Sequence, residues 1–186
     1  MSETDKAHEW RKWLYHKYMS GKGVDIGWRG NGLVDPKPVL PTSIGIETDT
    51  PGYDGINLPF PDGSLDYVFS SHMLEHHPRP VEAIAAWHRA LKVGGHIITI
   101  VPHQHLYEKK LCRPSKWNAD HKRFYTPGCL LMEFEVALPP NSYRVRHLRD
   151  NDHGFDYTRG PDVHSNGCYE IELVIEKIAE PAWKLS

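Results

Sequence analysis

Apolar residues along this chain fall in short runs cut by glycine and proline, and only a few stretches follow helical spacing. Trp10, Trp13, Leu14 and Tyr18 recur among Lys and Arg, so the spacing predicts an amphipathic helix over residues 6–19. It would cap the core or lie as a lid over a ligand; the acids Glu3, Asp5 and Glu9 argue against a membrane-surface helix. Val24–Gly27 predicts a first buried strand with its exit, and Ile44–Glu47 a second. Pro36, Pro38 and Pro41 forbid a regular helix between them, leaving an extended loop. Thr48–Asn57 is too short and too rich in Gly, Pro and Asp for a helix, and Leu58–Ser64 forms turns.

Leu65–Ser71 then reads as a buried strand. Pro80 opens an amphipathic helix through Val81, Ile84, Ala85, Trp87, His88 and Leu91, which Gly94-Gly95 should end. His96–Pro102 is nearly continuously apolar, as a central parallel strand is. Residues 103–125 form a long polar loop, a length usually tied to function or disorder. Thr126-Pro127 starts another helix with Thr as N-cap. Ser142–Leu148 and Tyr169–Ile178 alternate and predict an antiparallel pair at the end of the sheet. No repeat or linker divides the chain, so residues 1–186 are expected to form one domain.

Composition changes this picture little. Hydrophobic residues at 39% and charged residues at 25% suit an ordinary globular chain. A net charge of −2 gives no general attraction to nucleic acid or anionic membrane. No apolar run reaches membrane-span length and the N-terminus lacks an apolar signal core, so a cytoplasmic location is expected. Cys112, Cys129 and Cys168 are far apart and form no Cys-x-x-Cys pair, which supports neither a disulfide framework nor a cysteine zinc site.

Candidate chemistry gathers where the strands end. Gly23-Val24-Asp25-Ile26-Gly27-Trp28-Arg29-Gly30-Asn31-Gly32 is a strand running into a glycine-rich loop. Such a loop brings backbone N–H groups and a carboxylate close to a nucleotide-like ligand. Glu47 follows about 20 residues later at the end of the second strand, where an acid can take both hydroxyls of a ribose. Ser70, Ser71 and His72 leave their strand at the carboxyl edge, where ligands bind in open parallel sheets.

The order of strand, acid, glycine loop, ribose acid, Leu58-Pro59-Phe60-Pro61-Asp62-Gly63-Ser64-Leu65-Asp66, then Ser71-His72-Met73-Leu74-Glu75-His76, helix, Gly94-Gly95 and strand resembles the class I S-adenosylmethionine-dependent methyltransferases of the type 11 kind. The resemblance runs from about Gly23 to Pro102 and is most specific from Leu58 onward. It implies an α/β fold: a Rossmann-like, mostly parallel seven-stranded sheet with an antiparallel last strand and trimmed helices. It implies S-adenosyl-L-methionine as cofactor. Asp25, Ile26, Gly27, Trp28, Arg29 and Gly30 would hold its amino-acid end; Glu47 and Thr48 would meet the ribose. Asp54, Gly55 and Ile56 would meet the adenine, although Asp54 also fits an Asx-turn. Ser70 and Ser71 would line the methyl-transfer site. Arg29 stands where the family carries its second loop glycine.

His121, next to Asp120 in the long loop, or His72 is the candidate general base if the methyl acceptor is a hydroxyl. The acceptor is expected to be O or N of a small molecule, such as a sugar or other metabolite, because short relatives occur among sugar and polysaccharide enzymes. Nucleic acid is not expected, since no basic aromatic cluster stands outside residues 109–125. A non-catalytic S-adenosylmethionine-binding or regulatory protein is the alternative; a nicotinamide dehydrogenase fits the Leu58–Asp62 block poorly. His72-x-x-Glu75-His76 spells the inverted zincin motif, but directly after a strand rather than on a helix, so no metal is assigned. A divalent ion held by His72, Glu75, His76 and a remote His, as in some RNA 2′-O- and quinone-biosynthetic O-methyltransferases, stays open beside that assignment.

Overall fold

The computed structural model describes residues 3–27, 40, 42–183 and 185. Among them, six strands form one sheet: β1 (Gly23–Ile26), β2 (Ser43–Ile46), β3 (Leu65–Ser71), β4 (Leu91–Pro102), β5 (Tyr143–Asn151) and β6 (Glu170–Lys177). Their spatial order is β2-β1-β3-β4-β6-β5. β2, β1, β3 and β4 are parallel; β6 runs antiparallel to both β4 and β5. The antiparallel last strand is as expected, and it lies between β4 and β5.

The seven-stranded expectation is corrected to six. Residues 47–64, which join β2 to β3, add no strand to the sheet. That stretch carries Pro51, Pro59 and Pro61, and Gly52, Gly55 and Gly63 all have positive φ. Proline removes ladder donors and the left-handed glycines turn the backbone, so the stretch folds as successive turns.

α1 (Glu3–Tyr18) lies on one face of the sheet, and α2 (Pro80–Ala90) and α3 (Pro127–Ala137) on the other. The period of two in the strands sorts the core between them. Ile97, Val101, Ile171, Leu173 and Ile175 pack with Ile84, Trp87, Leu130 and Phe134. Ile98, Ile100, Tyr67, Phe69 and Val174 pack with Leu14, Tyr15, Tyr18 and Met19. α2 ends at Ala90 rather than at Gly94-Gly95: Leu91 is already extended and pairs with Leu65 of β3. Lys177 Nζ donates to the carbonyls of His88 and Leu91, both at 2.8 Å, which satisfies acceptors left by the helix end. Thr126 caps α3 as expected, accepting from the Cys129 N–H.

The long loop is ordered by its own contacts. His103 bridges to Tyr125, Gln104–Glu108 makes one π-helical turn, and the Lys122 N–H donates to the Glu75 carbonyl at 2.8 Å. These contacts carry His121 back over the exit of β3.

Candidate active site

A cavity of about 310 Å³ opens at the carboxyl ends of β1, β2 and β3. Its wall includes Ile26, Gly27, Glu47, Thr48, Asp54, Gly55, Ile56 and His72, all singled out from the sequence. Ile46, Tyr53, Met73, His76, His77, Pro78 and Arg79 complete it. The size is at the lower end of small-molecule pockets.

Backbone geometry builds this wall. Gly27 has φ 75°, and its N–H donates to the Ile46 carbonyl at 2.9 Å. A Cβ there would come within 2.7 Å of Met73 Cγ, so glycine is required by both conformation and space. His77 Nε2 meets the Gly55 carbonyl at 2.6 Å and ties the 53–57 turn to the segment after β3. Asp54 closes that turn: one oxygen accepts from the N–H groups of Ile56 (2.9 Å) and Asn57 (2.6 Å), the other from Asn57 Nδ2 (2.9 Å). The Asn57 side chain, then the two backbone donors, hold the carboxyl down at about 2. The Asx-turn reading is therefore present in the structure, whatever else Asp54 contacts.

Other residues singled out from the sequence sit differently. Asp25 is buried within β1 and Ser70 within β3, behind the cavity wall; Ser70 Oγ has no hydrogen-bond partner. Ser71 is half-buried at the end of β3. Trp28, Arg29 and Gly30 lie outside the described residues.

A second group adjoins the cavity at His72 and His76. His72 leaves β3 with φ 51°, and its side chain is 36% exposed. Its Nε2 is 3.5 Å from Glu170 Oε1 and its Nδ1 is 3.9 Å from Glu75 Oε1. Burial disfavours the charged imidazole, but the two carboxylates outweigh it and hold His72 above its ordinary range. Glu170 in turn faces Arg11 of α1 at 3.0 Å, and Arg11 also meets Glu172 at 3.3 Å. Burial alone would raise Glu170, yet Arg11 and then His72 bring it down to about 2.

His121 is buried, and its Nδ1 lies 2.5 Å from Glu108 Oε1. The carboxylate beside it is thus Glu108 from the π-helical turn, while Asp120 is exposed. The opposite nitrogen of His121 is 3.9 Å from Glu75 Oε1, and His121 is not part of the cavity wall. Glu75 is buried, and desolvation lifts its carboxyl above the usual range against the pull of His72 and His121.

Sequence reasoning missed Glu108, Glu170 and Arg11. Glu108 gave no signal. Glu170 and Glu172 did: they alternate with Ile171 and Leu173 in a strand that reads as buried, and buried acids on one face call for a cation.

Residues 49–99 match the model of the family described as Methyltransferase domain, a span running from the cavity's turns through β3 and α2 to Thr99 in β4. A comparison with curated proteins gives no match. Solved structures share the architecture at low identity. A chain of the Haloferax volcanii complex containing the Trm112 methyltransferase activator is 19% identical, with TM-score 0.61 over 97% of this chain and 95% of that one. A SAM-dependent methyltransferase from Aquifex aeolicus is 14% identical, with TM-score 0.60 over 90% and 89%. The [4+2]-cyclase SpnF is 16% identical, with TM-score 0.61 over 92% and 82%. That last likeness shows one architecture serving different reactions, so the chemistry must be argued from the site. The matched segment spans about a quarter of the chain, and the solved structures, at 14–19% identity, show that the fold is shared.

Proposed function

We propose that the chain transfers a methyl group from S-adenosyl-L-methionine to an oxygen or nitrogen of a small-molecule acceptor. The observation that carries this reading is the cavity itself: Gly27, Glu47 and the 54–56 turn, far apart in sequence, share one wall at the carboxyl edge of the parallel strands.

The residues fit the cofactor. Glu47, just after β2, lines the cavity and would accept from both ribose hydroxyls; charge-assisted bonds of this kind are the stronger ones. Ile56 and Tyr53 give an apolar seat for a purine, and Thr48 extends the wall beside the ribose acid. Gly27 lets the backbone come close; Asp25 behind it, with Trp28, Arg29 and Gly30, would serve the amino-acid end, as the resemblance implies. Ser70 and Ser71 would back the methyl-transfer position. When bound, the cofactor supplies a methyl group activated on a sulfonium sulfur, so the protein contributes mainly proximity and orientation.

His72 is the better placed of the two candidate bases. It lines the cavity and is partly open, whereas His121 is buried behind it with Nδ1 engaged by Glu108. For a hydroxyl acceptor, His72 takes the proton as oxygen bonds to the methyl carbon and S-adenosylhomocysteine departs. Glu170 holds the imidazole in place and stabilises the imidazolium that forms.

A crystal structure with S-adenosylhomocysteine tests this reading. The nucleoside is expected in the cavity with its ribose on Glu47 and its sulfur directed toward His72. A nucleoside bound elsewhere, or absent at saturating concentration, overturns it.

A further inference from the structure

We propose that Glu75, His76 and His121 form a site for one divalent first-row transition-metal ion, set against the inner side of the cavity wall. The ligand atoms of these three residues lie within 4.8 Å of one another. Glu75 is 1% exposed, and neither of its oxygens accepts a hydrogen bond. Leaving a buried carboxylate in that state is costly unless a cation meets it. Imidazole nitrogens do surround it, but at a distance too long for hydrogen bonds: His76 Nε2 at 3.7 Å and His121 Nε2 at 3.9 Å from Oε1. Those separations suit atoms that share a metal. Bonds of about 2.1 Å in tetrahedral geometry place neighbouring ligands about 3.4 Å apart, a few tenths of an ångström below the two Glu75 contacts; the three ligand atoms, spread over as much as 4.8 Å, draw together when an ion binds.

The surroundings support the assignment. Glu108 takes His121 Nδ1, which directs Nε2 toward Glu75; metal-bound imidazoles are held by a carboxylate on the far nitrogen in this way. Two imidazoles and one carboxylate suit zinc, cobalt or iron(II) better than magnesium or calcium, which prefer oxygen donors. Three protein ligands leave a coordination position open, as in reactive rather than structural sites. His76 belongs to both the triad and the cavity wall, and His72 stands beside it. Resting on the methyl-transfer reading, the open position would take the acceptor's oxygen and acidify its hydroxyl, with the proton passing to His72. The structure thus favours an oxygen acceptor over an amine.

Metal binding can be measured without cofactor or acceptor, so its result stands apart from the fate of the methyl-transfer reading. The full chain is stripped with a chelator and titrated with Co²⁺, followed by visible absorption, and with Zn²⁺ by calorimetry. One ion per chain is expected, with the absorption bands of a low-coordinate site and no competition from Mg²⁺. Glu75→Gln and His76→Asn should each weaken binding at least about 100-fold, and Glu108→Gln about 10- to 100-fold. If Glu75→Gln fails to fold by circular dichroism, His76→Asn, at a half-buried position, carries the test. No saturable binding by the unaltered chain overturns the proposal; so does binding that survives His76→Asn unchanged, which would place the ion on other histidines.

Discussion

Asp54 in the cavity and Glu170 beneath α1 have nearly the same acidity, both held near 2, for opposite physical reasons. Asp54 is exposed and owes its low value to three donors within three residues of itself. Glu170 is buried and owes its value to Arg11, brought from α1 across 159 residues of chain, and then to His72. The first charge serves a turn. The second fastens a helix to the sheet and holds an imidazole at the site. A depressed carboxyl therefore says little by its value alone; the distance its partners have travelled tells how much of the fold depends on it.

The two regions meet at His72, and breaking them there has the largest expected effect. His72→Ala should lower kcat about 10²- to 10⁴-fold with a hydroxyl acceptor, the usual contribution of a positioned base, while S-adenosylhomocysteine affinity stays within a few-fold. A matching loss of cofactor affinity would mean His72 belongs to the cofactor wall alone.

Arg11→Ala comes next. It leaves Glu170 buried without its main cation, a change that costs about 3–5 kcal/mol, read as a lower midpoint in urea, while Glu172 keeps Arg149 and His147. An unchanged midpoint would show that the anchoring of α1 rests on Leu14, Tyr15 and Tyr18 alone.

A smaller effect separates the two carboxyls by pH. Glu170 has its folded value lowered below the ordinary 4.5, so its stabilisation is fully present above that value and is lost as pH falls toward about 2. Melting temperatures between pH 5 and pH 2 should fall less steeply in Glu170→Gln than in the unaltered chain. Asp54→Asn should flatten the slope much less, since exposed groups are screened by solvent. Equal flattening by both would dissolve the contrast.

Much of this architecture is legible in the sequence, because periodicity reports burial directly. β3, β4, α3 and the final pair fall close to where apolar runs and caps place them, and the pattern itself names six strand segments. The seventh strand came from resemblance, and the sheet has six among the described residues, with residues 47–64 turning between β2 and β3. The cavity was legible for a related reason: glycines, turn acids and strand ends mark themselves locally. The end of α2 was not, since pairing of Leu91 with Leu65 overrides the Gly94-Gly95 stop. Nor was Glu108 as the partner of His121, for a contact made by loop folding over 13 residues leaves no periodic trace. His121 looked paired with its sequence neighbour Asp120, and the fold chose a buried carboxylate instead.

Calorimetric titration with S-adenosylhomocysteine, run on the unaltered chain and on Glu47→Ala, addresses the cavity most directly. One molecule should bind per chain, and the substitution should weaken binding about 10- to 100-fold, the worth of hydrogen bonds to a charged group. Affinity that is the same in both proteins would contradict the placement of the ribose on β2, and with it the cavity as the cofactor site.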